Sequence, residues 1–156
     1  MEKMLITGVA KDTSIARVSV VGLPDNPGIA FKIFALIAQA HINVDIILQS
    51  VGRGGTKDIS FTVSRSNKDA ALEVCSEFKE TMGVLDVQCD ENVAKVSVVG
   101  AGVQSHPGVA ATMFGALADV NINIQMIATS EIKISVLIDK EDVDKAVRAV
   151  HDAYIL

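Results

Sequence analysis

The chain has 156 residues, of which 49% are hydrophobic and 4% aromatic, and its formal net charge at pH 7 is −5. This length allows a real core without metals or disulfides, while the acidic balance and the lack of a long basic stretch argue against nucleic acid as the main partner. No apolar run approaches the ~20 residues of a membrane helix or resembles a signal peptide, and Cys75 and Cys89 lack a CxxC spacing, so two reduced thiols in a cytoplasmic protein are expected.

The first predicted elements are two strands and a helix. An apolar segment at residues 4–10 predicts one strand, and the alternation of Val18 and Val20 with polar residues predicts the next. The loop after it ends in Pro27-Gly28 and leads into a helix with one apolar face. That face consists of Ile29, Ile33, Leu36, Ile37 and Ala40.

The following segment completes a compact unit. Alternating apolar residues predict strands at 44–48 and 59–63, joined by a hairpin turn at 52–55. A helical stripe at 71–82 and a strand that starts near 85 come next. The element order is β-α-β-β-α-β, which is the ferredoxin-like arrangement.

The chain then repeats this unit. Residues 16–22 and 94–100 are identical at six of seven positions, and Pro27-Gly28 corresponds to Pro107-Gly108 at an offset of 80. We interpret this as a tandem duplication of a unit of roughly 75 residues. Strands are predicted near 94–100, 123–129 and 132–138, and a final helix follows them.

The second unit lacks residues for its fourth strand, because only the short tail 154–156 follows its last helix. The spare strand near the N-terminus is expected to complete the second sheet. The sequence therefore predicts an α+β fold of two tandem ferredoxin-like βαββαβ domains, the first inserted into the second. The expected domains are 16–91 and 92–156, the latter completed by residues 1–15, with Asp90-Glu91-Asn92 at the boundary.

Motifs for catalysis and metal binding are absent from the sequence. It contains no HExxH, GxSxG or GxxxxGK[ST] pattern. A heavy-metal carrier would need paired cysteines, and an RNA-binding sheet would show stacked aromatic side chains on its central strands. We therefore predict neither catalytic nor metal-binding residues.

The loop between the first strand and first helix of each unit is the main candidate for binding. Each loop leads into a helix N-terminus, where unpaired N–H groups and the helix dipole favour a carboxylate. Asp25 could pair with an ammonium group, so an amino acid would fit. The alternative is that Asp25, Asn26 and Ser105 are only turn and cap residues. Because Ser105 stands where the first loop has Asp25, two unequal sites are expected.

These residues resemble a known family. Asp25-x-Pro27-Gly28 after a Val-rich strand, within β-α-β-β-α-β, is similar to an ACT domain. Residues 105–109, 121–124 and 127–136, above all Ser130-Glu131-Ile132-Lys133-Ile134-Ser135, resemble the regulatory region of aspartokinase. The lysine/threonine-sensitive type, in which this region is also made as a separate β subunit, is the most similar.

The resemblance implies a regulatory function. Aspartokinase phosphorylates aspartate with ATP at the head of lysine, threonine and methionine synthesis, and its ACT domains bind end products and inhibit it. Nothing here resembles the catalytic part, so ATP and Mg²⁺ would belong to a catalytic domain or subunit. The chain would be either a β subunit that starts at Met1 or a regulatory fragment, and a homodimer through its ACT domains is implied.

The resemblance also implies effector-binding residues, at sites that combine a loop from one ACT domain with a strand edge from another. The residues that match threonine-contacting positions are Asp25, Asn26, Pro27, Gly28, Ile29, Ala30, Gln49, Asn123 and Ile124. Those that match lysine-contacting positions are Asn43, Val44, Asp45, Ser130 and Glu131. Ala110 matches a helix-start position that can face a ligand. Each has a simpler explanation as a turn, core or solvated strand residue.

Two other functions remain open. One is an ACT-type amino-acid sensor or dimerisation module that serves another enzyme or a transporter. The other is a small enzyme of the acylphosphatase type, which would need a phosphate-binding loop with a well-placed Arg, and neither strand-to-helix loop has one.

Overall fold

A computed structural model describes residues 6–155 of the chain and the side chains of 6–154. The chain divides into two compact units. We call Ser14–Glu91 the continuous unit, and the described part of Met1–Thr13 together with Asn92–Leu156 the split unit. Among the described helices, none is long and apolar enough to cross a membrane.

The continuous unit is a four-stranded antiparallel sheet with two helices. The elements, in chain order, are β2 (Ile15–Pro24), α1 (Ile29–Gln39), β3 (Val44–Gln49), β4 (Thr56–Ser64), α2 (Lys68–Met82) and β5 (Asp86–Asp90). The strands have the order β3-β4-β2-β5, so β3 and β5 are the edges. Strand β2 is central and pairs with both β4 and β5.

The split unit repeats this plan with one strand from the beginning of the chain. Its elements are β1 (Gly8–Asp12), β6 (Val93–Val99), α3 (Pro107–Asp119), β7 (Met126–Thr129), β8 (Lys133–Asp139) and α4 (Val143–Ile155). The strand order is β1-β6-β8-β7, so β1 occupies the place that β5 has in the continuous unit. β1 and β6 are antiparallel, and Val9 pairs with Val98.

The predicted fold class is confirmed: the fold is α+β, with two ferredoxin-like units of which the first is inserted into the second. Two details differ. The tail near residue 154 continues α4 as helix, and the strand predicted at 123–129 begins only at Met126. The N-terminal strand begins at Gly8, while Met4 and Leu5 of its predicted range lie outside the described residues.

Each unit has its own apolar core between the sheet and the helices. In the continuous unit, Val18 and Val20 of β2 are fully buried, whereas the intervening Ser19 is only half-buried, as the alternation predicts. Phe34 of α1 meets Phe61 of β4 edge to face, with ring centroids 5.6 Å apart. Three members of the predicted α1 stripe are buried, and Leu36 and Ala40 are exposed.

Helices α1 and α3 end in the same way. His41 and Asn121 both have positive φ, at 59° and 62°. After α1, the His41 and Ile42 N–H groups donate to the Ala38 and Ile37 carbonyls. This is the Schellman arrangement, in which a left-handed residue stops the helix and the next apolar side chain returns to the core. The corresponding bonds after α3 run from Asn121 and Ile122 to Ala118 and Leu117.

Replacing His41 by glycine is expected to stabilise the chain by about 0.5–1 kcal/mol, because glycine avoids the Cβ clash of the left-handed conformation. Urea denaturation followed by circular dichroism measures this. His41→Ala serves as the control, since alanine keeps the Cβ and should give no comparable gain. A midpoint that falls in His41→Gly would contradict the expectation.

Candidate functional site

The loop after β2 leads into an uncapped helix N-terminus. Gly28 is the N-cap residue of α1 with φ of 87°, and no side chain of the described residues caps this helix. The first N–H groups of an α-helix have no partner within the helix. The Ile29 N–H donates to the Asn26 carbonyl at 3.3 Å, so the N–H groups that follow it, at Ala30 and Phe31, are the ones that a ligand carboxylate could bind.

Asp25 does not cap α1 but faces the β3–β4 hairpin of its own unit. Its backbone N–H donates to the Gly55 carbonyl at 2.9 Å. Its carboxylate oxygen Oδ1 lies 3.4 Å from Lys57 Nζ, and the Lys57 side chain is only 10% exposed while that of Asp25 is 41% exposed. Asp25 therefore pairs with Lys57 of its own unit, and its pairing with the ammonium group of a ligand stays a prediction.

Strand β3 is an edge strand whose two ends carry the other candidates of this unit. Gln49 is its exposed last residue and pairs with Ile59. Because β2 and β3 are both antiparallel to β4, Gln49 and the Asp25 loop lie at the same end of the sheet. Asn43, Val44 and Asp45 lie at the opposite end, with Asp45 about 13 Å from Gln49 along the strand.

Hydrogen bonds of Asp58 with Gly22 and Ser50 join the strands at the end of the sheet where Gln49 lies. The Asp58 carboxylate accepts a bond from the Gly22 N–H at 2.9 Å, where β2 is bulged between Val20 and Leu23. The Asp58 N–H donates to Ser50 Oγ at 2.9 Å, and the Ser50 N–H donates to the Asp58 carbonyl at 3.0 Å. Sequence reasoning missed Asp58 and Lys57. Asp58 lies in the polar register of the predicted strand, whereas Lys57 lies in the register of the apolar residues.

The split unit has a similar helix start with different side chains. Pro107 is the first residue of α3, His106 precedes it, and no described side chain caps this helix either. The His106 ring nitrogen Nδ1 lies 2.9 Å from the Gly102 carbonyl, so this exposed histidine is bonded within its own loop. Ala110 is half-buried and packs against the core of the unit.

The remaining candidates lie before and after the edge strand β7. Asn123 is exposed and Ile124 is half-buried against the core, and both precede the strand rather than belonging to it. Ser130 and Glu131 follow β7 in a tight turn, in which the Ser130 N–H donates to the Lys133 carbonyl at 2.8 Å. The Glu131 carbonyl accepts from the Gly102 N–H at 3.0 Å, so the turn contacts the loop before α3.

Neither thiol is involved in these sites. Cys75 and Cys89 are both free, Cys75 being buried and Cys89 exposed. Burial raises the pKa of the Cys75 thiol to about 11, so this thiol stays protonated at neutral pH. Within residues 6–155, no group of three or more His, Cys, Asp or Glu side chains is placed to hold a metal ion.

Comparison with known proteins identifies the family of both units. The family model of the ACT domain matches residues 18–77 and 96–154, one stretch in each unit. An aspartokinase of Mycolicibacterium smegmatis is 49% identical over an alignment of 156 positions that covers 99% of this chain and 37% of that protein. The chain thus spans a little over a third of the length of the curated relatives that it matches.

Solved structures share the fold over nearly the whole chain. The structure of aspartokinase alpha and beta subunits has 48% identity and a TM-score of 0.90, covering 97% of this chain and 99% of that one. The regulatory subunit of aspartate kinase from Thermus thermophilus has 42% identity and a TM-score of 0.93, covering 96% and 99%. The chain belongs to the ACT domain family and, within it, to the regulatory regions of aspartokinases.

Proposed function

We propose that the chain is the allosteric, amino-acid-binding regulatory part of an aspartokinase, and that it binds threonine, lysine or both to inhibit aspartate phosphorylation. The observation that carries this proposal is repeated in both units: an uncapped helix N-terminus lies beside a hairpin that follows an edge strand. This arrangement offers partners for both the carboxylate and the ammonium group of an amino acid.

For threonine, the groups of the continuous unit have complementary chemistry. The N–H groups at the start of α1 suit the carboxylate of the ligand. The Asp25 carboxylate suits its ammonium group, and the exposed Gln49 amide can bond its hydroxyl. Asn123 and Ile124 would contribute backbone groups from an ACT domain of a second copy, and Ala110 would pack nearby.

For lysine, the proposed residues carry the opposite charge to the ligand side chain. Asp45 and Glu131 are exposed carboxylates, and two of them suit the additional ammonium group of lysine. Asn43, Val44 and Ser130 would supply backbone and hydroxyl groups. The lysine set thus uses the start of β3 and the end of β7, whereas the threonine set uses the end of β3 and the segment before β7.

The two residue sets use opposite ends of β3 and β7, and this opposite placement supports a homodimer through edge strands. If β3 of one copy aligns antiparallel with β7 of another, the start of each strand meets the end of the other. Both residue sets then assemble in the same contact. The edges carry exposed apolar side chains, Ile47 and Leu48 on β3 and Ile127 on β7, as expected for strands that pair with another chain.

Regulation then follows from differential affinity. An effector that fits one arrangement of ACT domains better than another shifts the population toward that arrangement. We propose that the favoured arrangement holds the catalytic part of aspartokinase inactive. ATP and Mg²⁺ would be bound by that catalytic part, and this chain would contribute no catalytic residue.

Calorimetric titration with threonine, then lysine, and with methionine as the control, tests effector binding. Saturable heat with threonine or lysine is expected. An effector at about 100 times its dissociation constant should also raise the free energy of unfolding by about 2.7 kcal/mol. Addition of the chain to a catalytic aspartokinase subunit should make the aspartate phosphorylation rate sensitive to the same amino acid.

Absence of heat and of stabilisation with both amino acids would contradict the proposal. Sedimentation velocity separates the remaining alternative: a dimer that forms without any effector response would favour a dimerisation module for another enzyme or a transporter. Binding of methionine as strongly as threonine would contradict the assignment of Gln49 to a side-chain hydroxyl.

A further inference from the structure

We infer that the β3–β4 hairpin sets the position of the Asp25 carboxylate, with Gly52 making room for it and Lys57 pairing with it. This inference rests on the proposed function, because Asp25 matters here as a residue of the effector site. Gly52 and Lys57 would be positioning residues that act through Asp25.

The space at Gly52 is filled by the Asp25 side chain. A Cβ atom at position 52 would lie 1.8 Å from Asp25 Oδ2 and 2.5 Å from Asp25 Cγ, distances that non-bonded atoms do not reach. Gly52 is not among the glycines with positive φ, so its backbone conformation is open to any residue. Its lack of a side chain is therefore needed for the close approach of Asp25 and not for the turn.

Three contacts hold Asp25 against this hairpin. The Gly55 carbonyl accepts its backbone N–H at 2.9 Å, and Lys57 Nζ lies 3.4 Å from Oδ1. The other oxygen, Oδ2, lies in the space that a side chain at Gly52 would fill. Lys57 is itself placed by the sheet, since it pairs in register with Leu23 two residues before Asp25. Both oxygens are thus oriented before any ligand arrives, which reduces the ordering cost of binding.

Comparison with the split unit shows which of these contacts occur only at the Asp25 loop. There the loop also bonds to its hairpin through the backbone, from the Gly100 N–H to the Ile132 carbonyl and from the Gly102 N–H to the Glu131 carbonyl. Only two residues separate Ser130 from Lys133, whereas seven separate Ser50 from Asp58. The additional residues of the longer hairpin include Gly52 and Lys57, which serve the one loop that carries a carboxylate.

Gly52→Ala tests the inference by calorimetry. The Asp25 carboxylate must leave its position, whereas Asp25 Cβ, 3.2 Å from the added atom, needs to shift by only a few tenths of an ångström, so the fold should persist. We expect threonine affinity to fall about tenfold or more. Gly115→Ala is the matched control, because a Cβ there meets nothing within 4 Å and φ is not positive. It should bind as the wild type does.

The double variant Asp25→Ala/Gly52→Ala shows whether Gly52 acts through Asp25. It should bind no more weakly than Asp25→Ala alone. The inference would be overturned if Gly52→Ala bound threonine with wild-type affinity. It would also be overturned if Gly52→Ala weakened threonine binding by the same factor in the Asp25→Ala background as in the wild type.

A ligand-free measurement separates this inference from the proposed function. The Asp25 side-chain carboxyl carbon should shift in NMR spectra of Gly52→Ala and of Lys57→Gln, and should keep its position in Gly115→Ala. An unchanged Asp25 signal in both hairpin variants overturns the inference even if threonine binds. A wild-type chain that binds neither threonine nor lysine, with the signal shifted as expected, contradicts the proposed function and leaves the hairpin contact established.

Discussion

Replacing Gly22 by alanine is expected to destabilise the chain by about 2–5 kcal/mol. Gly22 has φ of 74°, which an L-residue adopts at a cost, and a Cβ there would lie 2.6 Å from Leu85 Cβ. Neither atom can rotate away, because both are bonded directly to the backbone. Urea denaturation followed by circular dichroism measures the loss.

Gly83→Ala is the matched control for this substitution. Gly83 has a similar φ of 71°, but a Cβ there meets nothing within 4 Å, so only the conformational cost of about 1–2 kcal/mol is expected. Leu85→Gly removes the atom that Gly22→Ala would contact, and Leu85 is 74% exposed, so little packing is lost. The steric explanation is wrong if Gly22→Ala lowers the free energy of unfolding no more than Gly83→Ala does. It is also wrong if adding Leu85→Gly to Gly22→Ala restores none of the lost free energy.

Asp25→Ala and Glu131→Ala are expected to separate the two effectors. Loss of a charge-assisted bond weakens binding by about 10–100-fold. Asp25→Ala should therefore weaken threonine binding and leave lysine binding nearly unchanged, and Glu131→Ala should do the reverse. Both side chains are exposed, so the fold should be retained in each variant. Titration of each variant with both amino acids measures the four affinities.

Asp69→Ala controls for the loss of a negative charge, since Asp69 is a 93% exposed carboxylate on α2, outside the proposed sites. It should leave both affinities unchanged. A fall of both affinities in both site variants would show that the two amino acids share one site. Unchanged binding in Asp25→Ala would remove Asp25 from the threonine site.

Much of the fold can be predicted from this sequence because its signals are local and repeated. The alternation around Val18 and the apolar stripe of Ile29, Ile33 and Ile37 each describe one element without reference to any other. The helix stop at His41 is less visible, because a left-handed residue after a helix is usually glycine and sometimes asparagine, and histidine gives no such signal. The start of β7 at Met126 depends on its pairing with Leu137, which no local pattern contains.

The candidate site is predictable in its positions but not in its contacts. The Asp25 loop stands out because it precedes a helix, yet its partner Lys57 is 32 residues away and reaches it only through the β2–β4 register. Gly52 has the appearance of an ordinary turn glycine, and its role is visible only from the distance to Asp25 Oδ2. Contacts between residues this far apart in the chain leave no local pattern in the sequence.

The fourth strand of the split unit has a consequence for how the chain folds. Val9 pairs with Val98, so closing this pair directly would restrict a loop of almost ninety residues. When the continuous unit folds first, Arg17 of β2 pairs with Asp90 of β5 and brings the two ends of that loop together. β1 and β6 are then joined by short connections on either side of a folded body. We therefore expect the continuous unit to form early during synthesis. The edge of β6 that pairs with β8 should remain unpaired until β8 has been made.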